Sequence, residues 1–546
     1  MLGFADIMAG KPISVVFAVI VLGLALNGTD SVGSRRKEAY VTLLYGDEFL
    51  LGVRVLGKSI RDTGSTKDMV VLVSDGVSKH AINLLKADGW IVDIISLLEN
   101  PNHVRPKRFW GVYTKLKIFN MTDYEKVVYL DADTIVVKNI DDLFKCGKFC
   151  ANLKHSERLN SGVMVVEPDE KVFNDMMKKV STLPSYTGGD QGFLNSYYSD
   201  FPNAHVFQPN SPRDSKPPAM ERLSTLYNAD VGLYMLANKW MVDETELRVI
   251  HYTLGPLKPW DWWTSWLVKP VDVWQDMRER LEESLPGTGG GSNRSDEIAV
   301  KFLFALPLFS LLFFCYRYYP QNLQSLFRIS MCDHGRQLYH KFRAVVGFGY
   351  TVPSSSAVSS PHKMYSSGFG KVSDYLGAVS VVICLLSTLV SLAMSFAIVP
   401  RQVTPWTGLL LMYEWTFTFF ALLFGFYLHR ICIWGKTIAT HGGSISSLPD
   451  VSDYNYQKDH QKHGINCDVV WHYWFGIAAL AVAAPSLPFI FGITALFARL
   501  GLIVSGCLVL ISFMAYASQQ LAIRYFLKGF LLEERDSKRI KNNFSC

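Results

Sequence analysis

The chain has 546 residues, enough for more than one domain. Its 54 Lys and Arg against 48 Asp and Glu leave a net charge of +6, and no basic stripe is interleaved with aromatics, which argues against nucleic-acid binding. Residues 35–300 have the balance of a globular protein, whereas most of 300–525 is too apolar for one.

Lys11 precedes a short apolar run, Ile13–Ala25, that ends in Asn27-Gly28-Thr29-Asp30. Residues 1–30 therefore read as a signal peptide or a short signal-anchor, and either delivers the rest to the secretory lumen. Residues 38–275 read as one globular domain. Ala39–Tyr45 is a predicted strand, and Gly46-Asp47 leads into a helix with apolar Phe49, Leu50, Val53, Leu56 and Ile60 close to a 3.6 period. Strands at Met69–Val73 and Trp90–Ile95 enclose a helix at Ser78–Asp88, and this βαβαβ order predicts a doubly wound α/β sheet. Tyr113–Asn120 reads as helical, Val127–Asp133 as a strand, and Asp141–Phe144 as the start of a short helix. Val163–Val166 is a strand and Val172–Leu183 an amphipathic helix. The glycines at 188, 189 and 192 lead into a helix through Tyr197, residues 207–219 form a loop, and Arg248–Tyr252 is the last strand. Trp260, Trp262, Trp263 and Trp266 crowd the domain's end as core, as a sugar platform or as an interfacial belt.

A linker is expected over 276–298, with Pro286–Ser292 its flexible part. About five spans follow, at 299–316, 376–399, 406–428, 473–491 and 500–518, each near the roughly 20 apolar residues that cross a bilayer. The loop 317–375 and the tail 526–546 are rich in Lys and Arg, while the connection 400–405 has only Arg401. The positive-inside rule then places the globular domain in the lumen, where the sequon Asn293-Arg294-Ser295 also falls. Of nine cysteines only Cys146 and Cys150 lie in the globular part. They pair in an oxidising compartment or stay as two thiols four apart.

Asp131-Ala132-Asp133 interrupts two apolar runs, Val127–Leu130 and Thr134–Val137. Buried carboxylates need compensation. A hard divalent cation supplies it and can also carry a diphosphate. The end of a strand in an open α/β sheet is where ligands bind, although an isolated Asp-x-Asp also serves as a solvated turn. His251, at the end of a later strand, is placed either to complete a metal site or as a structural histidine, and Lys258 is placed to neutralise a diphosphate. Asn160-Ser161-Gly162 offers short polar groups or a plain turn. Gly188-Gly189-Asp190-Gln191 offers bare backbone with two polar side chains, or a helix capped by Asp190.

In this order, YTKLKIF, YLDADT, NSGV, GGDQG and HYTLGPLKPW resemble the retaining glycosyltransferases of family eight, over residues 39–266. The resemblance implies a GT-A nucleotide-diphosphosugar transferase fold, here joined to an all-α membrane domain, and Mn2+-dependent transfer from a UDP-sugar. It places Asp131, Asp133 and His251 on the metal, and Leu43, Tyr45, Gly46 and Phe49 around uridine. Lys115 and Lys258 face the phosphates with Gly255 beside them, and Ala132 and Ser161 belong to the same donor-binding set. Asn160, Asp190 and Gln191 lie around the transferred sugar, with Asp190, Gln191 and Lys258 as the catalytic group. Retention requires either a covalent intermediate, for which Asp190 is the nominee, or same-face attack, which the lack of a dedicated nucleophile favours.

Thr187 departs from glycogenin-like members, which carry an acidic residue there. Tyr234 lies near their self-glycosylated tyrosine, so self-glycosylation is an alternative. A transporter with a lumenal sensor domain is another, with Glu414 its lone intramembrane acid. Both halves of the chain are also similar to plant inositol phosphorylceramide glucuronosyltransferases, in RFWGVYTKLKIFNMTDY, YTGGDQGFLNSYY and SFAIVPRQV. That implies transfer of glucuronic acid from UDP-glucuronate to inositol phosphorylceramide in the Golgi. Arg158 is then a candidate clamp for the sugar carboxylate, with a solvated loop charge as the alternative.

Overall fold

The computed structural model describes residues 37–101, 111–154, 157–210, 217–253, 255–285, 294–318, 367–442 and 467–543. The N-terminal apolar segment, the Pro286–Ser292 linker, the sequon at Asn293 and most of the basic loop 317–375 lie outside the described residues. Two compact units result. Met1–Gly46, Gly64–Asp131 and Asn139–Tyr227 belong to the first, and Asp47–Thr63, Ala132–Lys138 and Asn228–Cys546 to the second.

The strands in chain order are β1 (Glu38–Leu44), β2 (Asp68–Val73), β3 (Ile91–Ile94), β4 (Lys126–Leu130), β5 (Thr134–Val136), β6 (Phe149–Leu153), β7 (Leu159–Val166), β8 (His205–Val206), β9 (Met220–Leu223), β10 (Ala229–Asp230) and β11 (Val249–His251). In the first unit they form a mixed sheet of order β3-β2-β1-β4-β7-β6-β9-β8. β1 pairs in parallel with β2 and β4, and β7 runs antiparallel to β4 and β6. The apolar, β-branched runs of β1, β2 and β4 are buried almost throughout, as parallel strands covered on both faces require. Strand order reverses between β1 and β4, and the carboxyl end of β4 at that switch point delivers Asp131. A core of Tyr113, Leu116, Phe119, Phe149, Phe193 and Phe201 backs this sheet.

The structure departs from the expected elements at several points. The strand expected over Val127–Asp133 ends at Leu130, and the chain re-enters a separate three-stranded sheet, β10-β11-β5, at Thr134. β7 begins at Leu159, so Asn160-Ser161-Gly162 lies within a strand, across a register shift in its pairing with β6. β6, β8 and β9 were not anticipated, because FCANL is weakly β-branched and the other two are short edge pieces. The linker expected from 276 is helical to Ser284, because Trp274, Met277 and Leu281 recur at helical spacing and bury themselves in the second unit's core.

Among the described residues, four helices of the second unit are long and apolar enough to cross a membrane: Tyr375–Ile398, Pro405–Thr440, Val469–Ile490 and Leu496–Glu533. The first of the five expected spans lies in the helix Arg294–Tyr318, whose apolar stretch Ile298–Ser310 is shorter than these four. Cys146 and Cys150 form a disulfide, which decides between the two alternatives left open above.

Candidate active site

In the first unit the centre is Lys115, presented by the helical turn Val112–Asn120. Its ammonium lies 2.9 Å from Asp131 Oδ1 and 3.1 Å from Asp190 Oδ2, and donates to Ser161 O at 3.2 Å. Burial alone would lower the pKa of this lysine, but Asp131 and Asp190 raise it well above the ordinary value, so it stays charged. Tyr129 OH also donates to Asp131 Oδ1, at 3.0 Å. Ser161 OH donates to Asp190 Oδ2 at 2.7 Å.

Asp190 opens the helix Asp190–Tyr197, but Gly189 is its cap residue. The alternative reading of Asp190 as a capping side chain therefore fails, since its carboxylate points to Ser161 and Lys115. Thr187 takes the capping role, accepting from Gly189 N at 3.2 Å and Gly192 N at 3.0 Å. That gives the position a local structural task in place of the acidic group of glycogenin-like members. Gln191 Oε1 accepts from Asn160 Nδ2 at 3.0 Å, and Gln191 Nε2 donates to Tyr186 OH at 3.0 Å. The Arg158 guanidinium sits 3.9 Å from the Tyr186 ring centroid. A chain of contacts thus runs from Arg158 through Tyr186 and Gln191 to Asn160. Tyr186 was missed in the sequence, where only stacking geometry distinguishes it from any loop tyrosine.

In the second unit the centre is Asp133. Its Oδ2 lies 2.6 Å from Lys258 Nζ and its Oδ1 3.4 Å from His251 Nε2. Burial would raise this carboxyl, yet Lys258 and His251 hold it well below the ordinary carboxylate range. His251 is placed by β11, which pairs antiparallel with β5 so that His251 faces Thr134. Tyr252 N donates to Asp133 O at 2.9 Å, fixing the turn between the two. Asn228 Oδ1 lies 3.0 Å from His251 Nδ1. In a neutral ring whose Nδ1 donates to Asn228, the Nε2 lone pair would face a cation held by Asp133, in place of the proton that the cationic ring directs at that carboxylate. The oxygen and imidazole donors fit a divalent metal. Asn228, which sets this tautomer, gave no signal in the sequence.

Gly255 takes a left-handed φ of +63°, which glycine adopts with no Cβ penalty, and starts the turn that brings Lys258 back. Asp261 stabilises that turn, accepting from Lys258 N at 3.3 Å, and also pairs with Arg401 at 2.9 Å. Ala132 joins Asp131 to Asp133, so the two constellations are one residue apart in the chain. A Cβ on Gly52 would lie 2.5 Å from Ala132 O, so this carbonyl rests directly on the helix Leu50–Asp62.

Of the four residues assigned to uridine, Leu43 is buried in the first unit's core, and Tyr45 and Gly46 are half-buried at the end of β1. Phe49 packs edge-on against Trp260, with centroids 5.6 Å apart, in the second unit's core.

The tryptophans divide. Trp260 belongs to the core, beside Trp274. Trp262 stacks on Phe396 at 6.0 Å, and Trp266 meets Trp406 and Phe489 edge-on at 4.9 and 5.2 Å. Trp262 N donates to Arg401 O at 3.0 Å, Arg278 donates to Gln402 O at 2.6 Å, and Arg499 donates to Trp266 O at 3.1 Å. The connection 399–404, and the helix positions Phe489 and Arg499 on either side of the next connection, therefore lie against residues 261–278 of the same unit.

The family model described as Glycosyl transferase family 8 matches residues 40–148. The chain is 64% identical over 531 residues to inositol phosphorylceramide glucuronosyltransferase 1 of Arabidopsis thaliana, across 96% of this chain and 97% of that protein. It is 33% identical over 252 residues to putative UDP-glucuronate:xylan alpha-glucuronosyltransferase 3 of the same plant, across 44% of this chain and 38% of that protein. Among solved structures, the galactosyltransferase LgtC in complex with donor and acceptor sugar analogues aligns with a TM-score of 0.31 at 17% identity, covering 44% of this chain and 94% of that one. The chain belongs to glycosyl transferase family 8, with a GT-A-like glycosyltransferase region joined to a membrane domain.

Proposed function

We propose that this chain transfers glucuronic acid, with retention, from UDP-glucuronate to the inositol headgroup of inositol phosphorylceramide. One observation carries the reading: the 64% likeness to the Arabidopsis transferase runs through the membrane half as well as the globular half. Membrane helices joined to a sugar transferase suit a lipid acceptor and have no role for a soluble one. Protein in nanodiscs, given UDP-sugars, Mn2+ and inositol phosphorylceramide, is expected to make a glycolipid with UDP-glucuronate. No glycolipid with any donor would sink the proposal.

In this reading Asp131, Asp133 and His251 hold a divalent metal, Mn2+. When bound, it supplies positive charge against the departing diphosphate. Lys258 and Lys115 add fixed positive charge, which stabilises the UDP leaving group more as its charge grows. Leu43, Tyr45, Gly46 and Phe49 take the uridine, as the family resemblance of these positions implies. Asn160, Ser161, Asp190 and Gln191 form the hydrogen-bonding wall for the sugar. The Asp190 carboxylate is tied to Lys115 and Ser161, which makes it a poor nucleophile and favours same-face attack. Treatment with EDTA is expected to remove transfer, and Mn2+ to restore it. Full activity after exhaustive chelation would refute the metal assignment.

Arg158 supplies the specificity for an acidic sugar. Its guanidinium lies over the Tyr186 ring, 3.9 Å from the centroid, and Tyr186 is hydrogen-bonded to the sugar-side residue Gln191. Arg158→Ala is expected to narrow the preference for UDP-glucuronate over UDP-glucose by about tenfold or more, in line with the roughly 1.5–3 kcal/mol of a charged hydrogen bond. An unchanged ratio of kcat/KM values would leave Arg158 a surface charge.

In the same reading the site works in the Golgi lumen, with residues 1–30 as the delivering signal. The Cys146–Cys150 disulfide suits an oxidising lumen. The connections that meet residues 261–278 carry few cations, whereas the loop 317–375 and the tail are basic, as the positive-inside rule asks of the cytosolic side.

A further inference from the structure

We propose that the tip formed by residues 236–241 sits in the headgroup layer of the membrane crossed by the long helices, with Leu236 and Met241 inserted into its apolar edge. The tip follows the helix Val231–Ala237, which Asn238 ends in a left-handed conformation at φ 52°. Met235 and Trp240 pack on the core behind it, and Trp240 lies against Tyr234 with ring centroids 4.8 Å apart. The tip is therefore braced, yet Leu236 and Met241 remain 68% and 62% exposed.

Single exposed apolar residues need no explanation. These two flank a residue whose position relative to the membrane helices is fixed. Asn238 Nδ2 donates to Thr494 Oγ1 at 3.2 Å. Thr494 lies in the short connection between the helices Cys467–Ile490 and Leu496–Asn543, where the chain turns back at one membrane surface. That connection carries its own exposed apolar set, Ile490, Phe491 and Phe497. Leu236 and Met241 thus continue a surface that the helices already place in lipid. The exposed Lys239 between them has a stem long enough to reach lipid phosphate. This is the composition of an interfacial anchor, with apolar tips, an aromatic backing and one cation.

The test places an environment-sensitive fluorescent amino acid at 236 or 241 of the full-length chain, with Lys86, exposed on the helix Lys79–Ala87, as the control position. The protein is studied in phosphatidylcholine nanodiscs in which a fraction of the lipid carries a spin label at acyl carbon five. Quenching several-fold greater at 236 and 241 than at 86, with blue-shifted emission, is expected. Quenching no greater than at 86 would overturn the proposal. So would a blue shift that follows protein concentration without lipid quenching, since it would mean that a second copy covers the tip. The readout involves no sugar donor or acceptor, so its failure leaves the transfer reading standing, and the converse holds.

Discussion

Replacing Asp131 and Asp133 together by alanine is expected to lower transfer by at least about 10³-fold while the protein stays folded. A metal clamp on a leaving diphosphate contributes several kcal/mol to the transition state, and about 4 kcal/mol corresponds to that factor. The fold is expected to survive because neither lysine is stranded. Lys115 keeps Asp190 at 3.1 Å and the Ser161 carbonyl, and Lys258 is partly exposed to water. Measured together, initial rates and thermal unfolding decide the matter. Lost activity with a retained cooperative transition supports the assignment. Activity within tenfold of the parent would show that the two carboxylates hold no essential metal.

How much of this was legible in the sequence differs residue by residue. The strands ending near Tyr45, Val73 and Leu130 were readable because each is an apolar, β-branched run stopped by polar or glycine residues. Asp131 and Asp133 stood out because carboxylates between two such runs demand a partner. The boundary between them was not readable. Leu130 and Thr134 look like one strand interrupted, and only the pairing of β5 with β11 shows that the chain has changed sheets. Pairing across long separations hid the rest. Arg401 meets Asp261 across 140 residues, and no local pattern connects a cation in a membrane connection with a carboxylate supporting the Lys258 turn. Asn228 and Tyr186 escaped for the same reason, since their types are ordinary and only their positions matter. The tryptophans allowed three readings because burial cannot be read from residue type. The structure gives Trp260 to the core, and Trp262 and Trp266 to the membrane helices.

Lys115→Ala is expected to destabilise the protein by about 3–5 kcal/mol, the penalty for removing one partner from a buried charge cluster, and to abolish transfer as well. The lysine side chain is only 8% exposed, and it is the cation that Asp131 and Asp190 share. With it gone, two carboxylates remain in a partly dry site without the ammonium that neutralised both, keeping the bonds from Tyr129 and Ser161. The phenotype therefore combines two effects, and a second variant separates them. Lys115→Met with Asp190→Asn removes the cation and one of the carboxylates it neutralised, filling the site with groups of similar volume. Part of the lost stability is expected to return, because the Lys115–Asp190 pair is replaced by neutral groups, while the more exposed Asp131 keeps its bond from Tyr129 and access to water. Activity is not expected to return, since the double variant still lacks two groups that the proposed mechanism uses, the Lys115 charge against the diphosphate and the Asp190 carboxylate in the sugar wall. Chemical denaturation of the detergent-solubilised protein supplies the stability difference. A loss below about 1 kcal/mol in Lys115→Ala, well under the buried-pair range, would mean that Lys115 is not the strut between β4 and the helix Asp190–Tyr197. Equal losses in the single and double variants would mean that neutralising Asp190 and restoring the side-chain volume recover nothing, and would sink the account of the loss as an uncompensated Asp190 charge.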